Sequence, residues 1–159
     1  LSNHLGDLDG SVKTIGLRDC HSENLVFLSD RQGIKKVGLL DFQDAFMCHP
    51  AYDLVSLLQD ARRNISQNLE SRMIAYYLSR SKDEENRFIR AYRCLGLVRN
   101  LRILGVFARL IYDEGKAVYA PLIPRVKAYI EVTLRDPMFA NLRDDILVCL
   151  RTPKPVIEG

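Results

Sequence analysis

The chain changes its apolar period at Asp41, and that change limits what it can fold into. Before Asp41, three short apolar runs alternate with polar segments: Val12 to Arg18, Leu25-Val26-Phe27-Leu28, and Lys36-Val37-Gly38-Leu39-Leu40. Runs this short read as strands. Ser29 to Gly33 joins the second and third as a turn, with Gly33 available for a positive φ. After Asp41 the chain turns helical and stays so, which predicts an α+β fold, mainly α, with a small β-hairpin element near its start.

Five helical segments follow from the spacing. Pro50 and Asp53 open one whose buried face carries Leu54, Val55, Leu57 and Leu58. A second runs over Gln67 to Ser79 with Leu69, Met73, Ile74, Tyr77 and Leu78 inward. Ser81 and Glu84 fit a capping box, flanked by Asp83 and Glu85, for a long central helix ending near Gly115. Its apolar series includes Cys94, Leu97, Val98, Leu101, Leu104 and Ile111. Pro121 and Pro124 start another amphipathic helix that Asp136-Pro137 breaks, and Asn141 to Leu150 form one more. Residues 1–11 read as a flexible lead-in, 12–150 as one lobe and 151–159 as a tail.

Composition narrows the function classes. With 47% apolar residues the 159-residue chain can bury a core, and a net charge of +3 is too mild to imply nucleic acid without a clustered basic patch. Cys20, Cys48, Cys94 and Cys149 lie too far apart for a zinc site or a disulfide framework, which points to the reducing cytoplasm. The most hydrophobic stretch, Leu95 to Tyr112, is interrupted by Arg99, Asn100, Arg102 and Arg109, so no membrane span is expected. The first residue is not Met, and the chain is expected to start inside a longer reading frame.

The chemistry concentrates in two short segments. Asp19 and Asn24 stand five apart in a polar loop between strands, and the hairpin then delivers Asp41-Phe42-Gln43-Asp44 beside them. This pattern matches phosphoryl transfer from ATP, which needs a carboxylate to align the acceptor hydroxyl and a divalent metal to neutralise the transferred group. Asp19 is then the orienting base, with Asn24 and Asp41 as oxygen ligands for Mg²⁺. The plainer alternative makes Asp19 and Asn24 ordinary turn residues. Asp44 supports metal or substrate, or caps the next segment. Arg99, Arg102 and Arg109 fall near one helix face, which by default is solvated or salt-bridged.

Three segments in order, Leu17-Arg18-Asp19-Cys20-His21-Ser22-Glu23-Asn24-Leu25, Leu40-Asp41-Phe42-Gln43-Asp44-Ala45 and Pro50-Ala51-Tyr52-Asp53-Leu54, resemble the C-terminal lobe of the aminoglycoside phosphotransferase and choline kinase superfamily. That superfamily shares the protein-kinase-like fold. Within it, Asp41 to Ala45, the Tyr52-Asp53-Leu54-Val55-Ser56-Leu57-Leu58 segment and Arg99 to Gly105 look similar to bacterial cell-wall sugar kinases acting on the anomeric hydroxyl of N-acetylmuramate and N-acetylglucosamine. The resemblance implies an ATP- and Mg²⁺-dependent kinase for a small sugar, with Asp19 catalytic and Asn24 and Asp41 on the metal. It also implies Asp53 and His21 as supports of the loop and Arg99 and Arg102 on the substrate side. Leu17 and Gln43 depart from the pattern, which usually has His at the first position and, in protein kinases, Gly at the second.

The superfamily holds ATP phosphates with an N-terminal lobe carrying a Gly-rich loop and a strand Lys. The 18 residues before Asp19 contain neither, and Gly6 and Gly10 precede Ser-Val, which is no Walker A loop. The chain is therefore expected to be a catalytic lobe without its nucleotide-binding lobe. An aminoglycoside or choline kinase is one alternative, and a non-catalytic remnant that scaffolds a partner is the other.

Overall fold

The computed structural model describes residues 13–151. The expected lead-in and nearly all of the expected tail lie outside these residues. Within them the protein is mainly helical, with two small antiparallel strand pairs ahead of the helices.

Strands β1 (Thr14–Gly16), β2 (Leu25–Phe27), β3 (Val37–Leu39) and β4 (Phe46–Cys48) form two separate sheets. β2 and β3 make the expected hairpin, in register Leu25↔Leu39 and Phe27↔Val37, and Gly33 in its connection has φ +57°. β1 pairs with β4, Gly16 facing Phe46 and Thr14 facing Cys48. β4 corrects the expectation that the chain is helical throughout after Asp41. A three-residue strand whose partner lies far back in the sequence leaves no local periodicity to read. Neither sheet covers the core: Ile15, Phe27, Val37 and Met47 all stay exposed.

Helix α1 (Ala51–Leu58) buries Ala51, Val55 and Leu58 at helical spacing, together with Ser56. Helix α2 (Gln67–Leu78) starts where the Ser66 side chain accepts from the Leu69 amide, and it buries no residue fully. Leu69, expected to point inward, is exposed. Helix α3 (Glu85–Tyr112) is the long central element, 28 residues and about 42 Å. Its N-cap is Glu84, whose carboxylate accepts from the Asn86 and Arg87 amides, and not Ser81 as a capping box requires. Ser81 instead accepts from the Asp83 amide.

Helix α4 (Ile123–Thr133) follows a 3₁₀ segment, Ala117–Leu122, and helix α5 (Ala140–Arg151) follows another, Pro137–Phe139, capped by Asp136. Val126 and Ile130 of α4 are buried, whereas Val132 is exposed.

Two apolar clusters share α3. Phe88 and Tyr92 in its first half pack with Ala51, Val55 and Leu58 of α1. Cys94, Leu97 and Phe107 pack with Val126 and Ile130 of α4 and with Leu134 and Phe139 beyond it. α3 is thus covered from two sides, and its middle turn has no face left to solvent alone. That is why Arg99 and Asn100, polar residues in mid-helix, are buried.

Candidate active site

Residues 17–24 form a tight polar loop built largely from its own amides. The Asp19 amide donates to Leu17 O over 2.8 Å, the His21 amide to Asp19 O over 2.8 Å and the Asn24 amide to His21 O over 3.0 Å. Asn24 Nδ2 also donates to Asp19 O, 2.9 Å away, so one carbonyl binds both ends of the loop. The hairpin then brings Asp41 alongside, because the Leu40 amide donates to Asn24 O over 2.9 Å. Arg18 (φ +69°) and Asp41 (φ +55°) are the non-glycine residues with positive φ among those described. Side-chain-bearing residues pay for that conformation, on the order of 1 kcal/mol each, and it concentrates at functional sites.

Two carboxylates at the ends of α1 hold this loop. Asp53 Oδ2, in the first turn, accepts from the Leu17 amide over 2.7 Å. Burial pushes the Asp53 carboxyl above its usual value, against the lowering pull of the Leu17 and Arg18 amides and of Arg99. Asp60, two residues past the helix, accepts on Oδ2 from the Ser22 hydroxyl at 2.6 Å and the Ser22 amide at 3.1 Å. Its Oδ1 accepts from the Arg62 amide at 2.9 Å. Burial alone pushes Asp60 up, but these hydrogen bonds and the nearby His21 outweigh it and hold the carboxyl below its usual range.

Gly16 leaves the space that the Cys48 side chain of the paired strand fills. A Cβ there would stand 2.2 Å from Cys48 Sγ and 3.5 Å from Asp53 Oδ1. The thiols beside the loop are not activated: burial, and then the Asp53 charge, push both Cys20 and Cys48 up to about 11.

Asp19 opens onto a cleft of about 250 Å³, whose polar lining is completed by His21, Asp60, Arg62, Arg99 and Arg102. Ile103, Val106 and Phe107 of α3 form its apolar wall. Arg99 is only 7% exposed, which corrects the default of a solvated face for it, whereas Arg102 and Arg109 are exposed. Arg99 Nη2 donates to Ser56 Oγ of α1 at 2.7 Å, and its Nη1 is buried without a partner. Burial lowers the Arg99 pKa from its ordinary value, offset by the neighbouring Tyr52, Asp19 and Asp60. Arg109 pairs with Glu114 on the outer side, 3.8 Å away.

The His21 backbone takes part in the loop bonds, and its ring lines the cleft with Nδ1 buried and unpartnered. Asp44 is exposed and lies 3.5 Å from Arg18 Nη1. Asp41 Oδ1 accepts from Gln43 Nε2 at 2.6 Å. Among the described residues no three His, Cys, Asp or Glu side chains gather as a metal site. A pair of hard oxygens nevertheless suits Mg²⁺, which keeps several waters and takes the rest of its shell from phosphate. With Asn24 Nδ2 turned to Asp19 O and Asp41 Oδ1 engaged by Gln43, Asn24 Oδ1 and Asp41 Oδ2 are the oxygens left for that purpose.

Sequence reasoning missed Asp60, Ser22, Ser56 and Gln59. Asp60 lies two residues past the end of α1, so no helical spacing links it to Asp53 and no local signal marks it. Gln59 accepts from buried Asn100 on α3 at 2.7 Å and donates to Glu70 of α2 at 3.0 Å, tying three helices behind the cleft.

Residues 4–92 match the model of the phosphotransferase enzyme family. The chain is 46% identical over 127 residues to an N-acetylmuramate/N-acetylglucosamine kinase of Caulobacter vibrioides, an alignment covering 79% of this chain and 35% of that protein. Kinases of the same name from Neisseria meningitidis serogroup B and Pseudomonas putida are 34% and 33% identical, over 71% and 82% of this chain. The chain spans about a third of the length of the curated relatives it matches.

Proposed function

The chain belongs to the phosphotransferase enzyme family, and on that premise we propose that it is the catalytic lobe, of protein-kinase-like fold, of a cytoplasmic kinase using ATP and Mg²⁺. The acceptor in this reading is an N-acetylated amino sugar, N-acetylmuramate or N-acetylglucosamine, phosphorylated at its anomeric hydroxyl. The observation that supports it best is the pair of bonds from Asn24 Nδ2 to Asp19 O and from the Leu40 amide to Asn24 O. They gather a carboxylate facing a cleft and two oxygen-donor residues around one rigid loop.

In this reading Asp19 accepts the proton of the acceptor hydroxyl as its oxygen attacks the γ-phosphorus of ATP and ADP leaves. Asn24 and Asp41 hold Mg²⁺, which when bound neutralises charge on the transferred group. Asp53 and Asp60 keep the loop in place, His21 supports it from the cleft side, and Arg99 faces the acceptor. Asp44 is assigned to the metal and substrate side of the Asp41 turn. Leu39, Leu40 and Phe42, exposed on either side of Asp41, offer an apolar surface for the nucleotide base. Arginines next to Asp19 disfavour a polycationic acceptor. Four cysteines spread along the chain fit a reducing compartment, and no described helix is long and apolar enough to cross a membrane.

The test is an ADP-release assay of the complete protein with N-acetylmuramate, N-acetylglucosamine, kanamycin and choline. Turnover of the two amino sugars is expected. Preference for kanamycin or choline overturns the acceptor assignment, and no Mg²⁺-dependent ADP release with any of the four overturns the kinase reading for this lobe.

A further inference from the structure

The cleft beside Asp19 carries more positive charge than its own residues satisfy. Arg62 is occupied, with Nε 2.8 Å from Glu23 and Nη1 3.9 Å from Asp60. Asp60 spends both oxygens on Ser22 and Arg62. Arg99 uses one Nη on Ser56 and leaves the other buried without an acceptor. A buried guanidinium N–H left unpaired is costly, and it is built to be met by an oxygen arriving from outside the chain. Arg102 lies one helical turn farther along α3, on the same cleft, and has no carboxylate within ion-pair distance among the described residues. Unlike Arg99 it is solvent-exposed, so it stands at the cleft's rim.

Resting on the amino-sugar reading, we propose that α3 divides acceptor recognition between these two arginines. Arg99 Nη1, beside Asp19, donates to a neutral oxygen that the acidic and the neutral sugar share. Arg102 pairs with the carboxylate that only the acidic sugar has, and is the specificity-determining residue. Ile103, Val106 and Phe107 pack against the methyl groups of the sugar's substituents, which suits the mixed apolar and cationic lining. An arginine fork matches a carboxylate in two parallel hydrogen bonds, whereas a rim position keeps the cost low when a neutral sugar leaves it in water.

The experiment compares kcat/KM for N-acetylmuramate and N-acetylglucosamine in the complete protein and in Arg102→Gln and Arg102→Lys variants. Arg102 is exposed, so neither variant threatens folding. The ratio of the acidic to the neutral sugar is expected to fall about tenfold in Arg102→Gln, through KM for the acidic sugar, and to fall less in Arg102→Lys. Raising salt should lower the ratio in the unmodified protein and leave it flat in Arg102→Gln. An unmodified protein that turns over both sugars, with a ratio unmoved within twofold by Arg102→Gln, overturns the division of labour and leaves the kinase reading standing. An unmodified protein that turns over neither sugar overturns the division of labour together with the amino-sugar assignment on which it rests.

Discussion

The backbone N–H of Leu17 donates to Asp53 Oδ2 across 2.7 Å, joining the Asp19 loop to the first turn of α1 over a separation of 36 residues. Through that bond the helix that anchors one apolar cluster also fixes where Asp19 begins its turn.

Asp53→Ala removes the acceptor and leaves a part-buried amide unpaired, while Asp53→Asn keeps an oxygen in reach. The alanine variant is expected to lose about 1–3 kcal/mol of stability and the asparagine variant less. Urea unfolding of the two variants beside the unmodified protein measures this, and equal losses would show that the contact is charge-driven and not a matter of satisfying Leu17.

Gly16→Ala places a methyl group 2.2 Å from Cys48 Sγ, which cannot be accommodated without a shift in β1 or β4. A destabilisation of about 1–3 kcal/mol is expected. Cys48→Ala removes the obstructing sulfur, so the double variant should recover most of the loss. A double-mutant cycle on thermal midpoints gives the coupling, and additive effects would mean that the strain lies elsewhere.

Much of the fold is legible in the sequence, because it is written in local patterns. The β2–β3 hairpin has its turn residue at Gly33, the helices keep their apolar spacing, and Pro and Gly punctuate their ends. What escaped was non-local. β4 exists by pairing with β1, and nothing in Phe46-Met47-Cys48 itself announces a strand. Arg99 reads as a surface residue on any helical wheel, since only the covering of α3 by α1 on one side and α4 on the other buries it. For the candidate site, the sequence names Asp19, Asn24 and Asp41 by type and spacing, but not Asp60, whose importance comes from reaching 38 residues back to Ser22.

Asp60 makes stability depend on pH. Its carboxyl is held below the ordinary value in the folded protein, so its contribution is fully present above the unfolded value, about 3.9, and is lost as pH falls through the folded value. Asp60→Asn should therefore cost about 1.5–3 kcal/mol at pH 7 and progressively less below pH 4. Urea midpoints at pH 7 and pH 3 report the gap, and the same gap at both would rule out an ionised Asp60 as its source.

Cys20 and Cys48, each pushed up to about 11 by burial and the Asp53 charge, hold almost no thiolate near neutral pH, while Cys149 is exposed on α5. Limited iodoacetamide treatment at pH 7.5 followed by peptide mass spectrometry is expected to label Cys149 first. Faster labelling of Cys20 would place an activating cation nearer to it than Arg99 is.

The last prediction separates the residues proposed for the metal from the one proposed for the proton. If Asp19 aligns the acceptor hydroxyl, Asp19→Asn in the complete protein removes the proton acceptor without touching the oxygens assigned to Mg²⁺. Turnover should then drop by orders of magnitude, on the order of 10²–10⁴-fold, with the Mg²⁺ dependence of the residual rate unchanged. Asn24→Ala and Asp41→Ala each withdraw one hard oxygen, so they should raise the Mg²⁺ concentration needed for half-maximal rate. Asn24→Ala also deletes the Nδ2 bond to Asp19 O and loosens the loop itself, so it should lower the rate at saturating Mg²⁺ as well. Magnesium titrations of all three variants distinguish these patterns, and an unchanged profile in both Asn24→Ala and Asp41→Ala would remove the metal from this pair of residues.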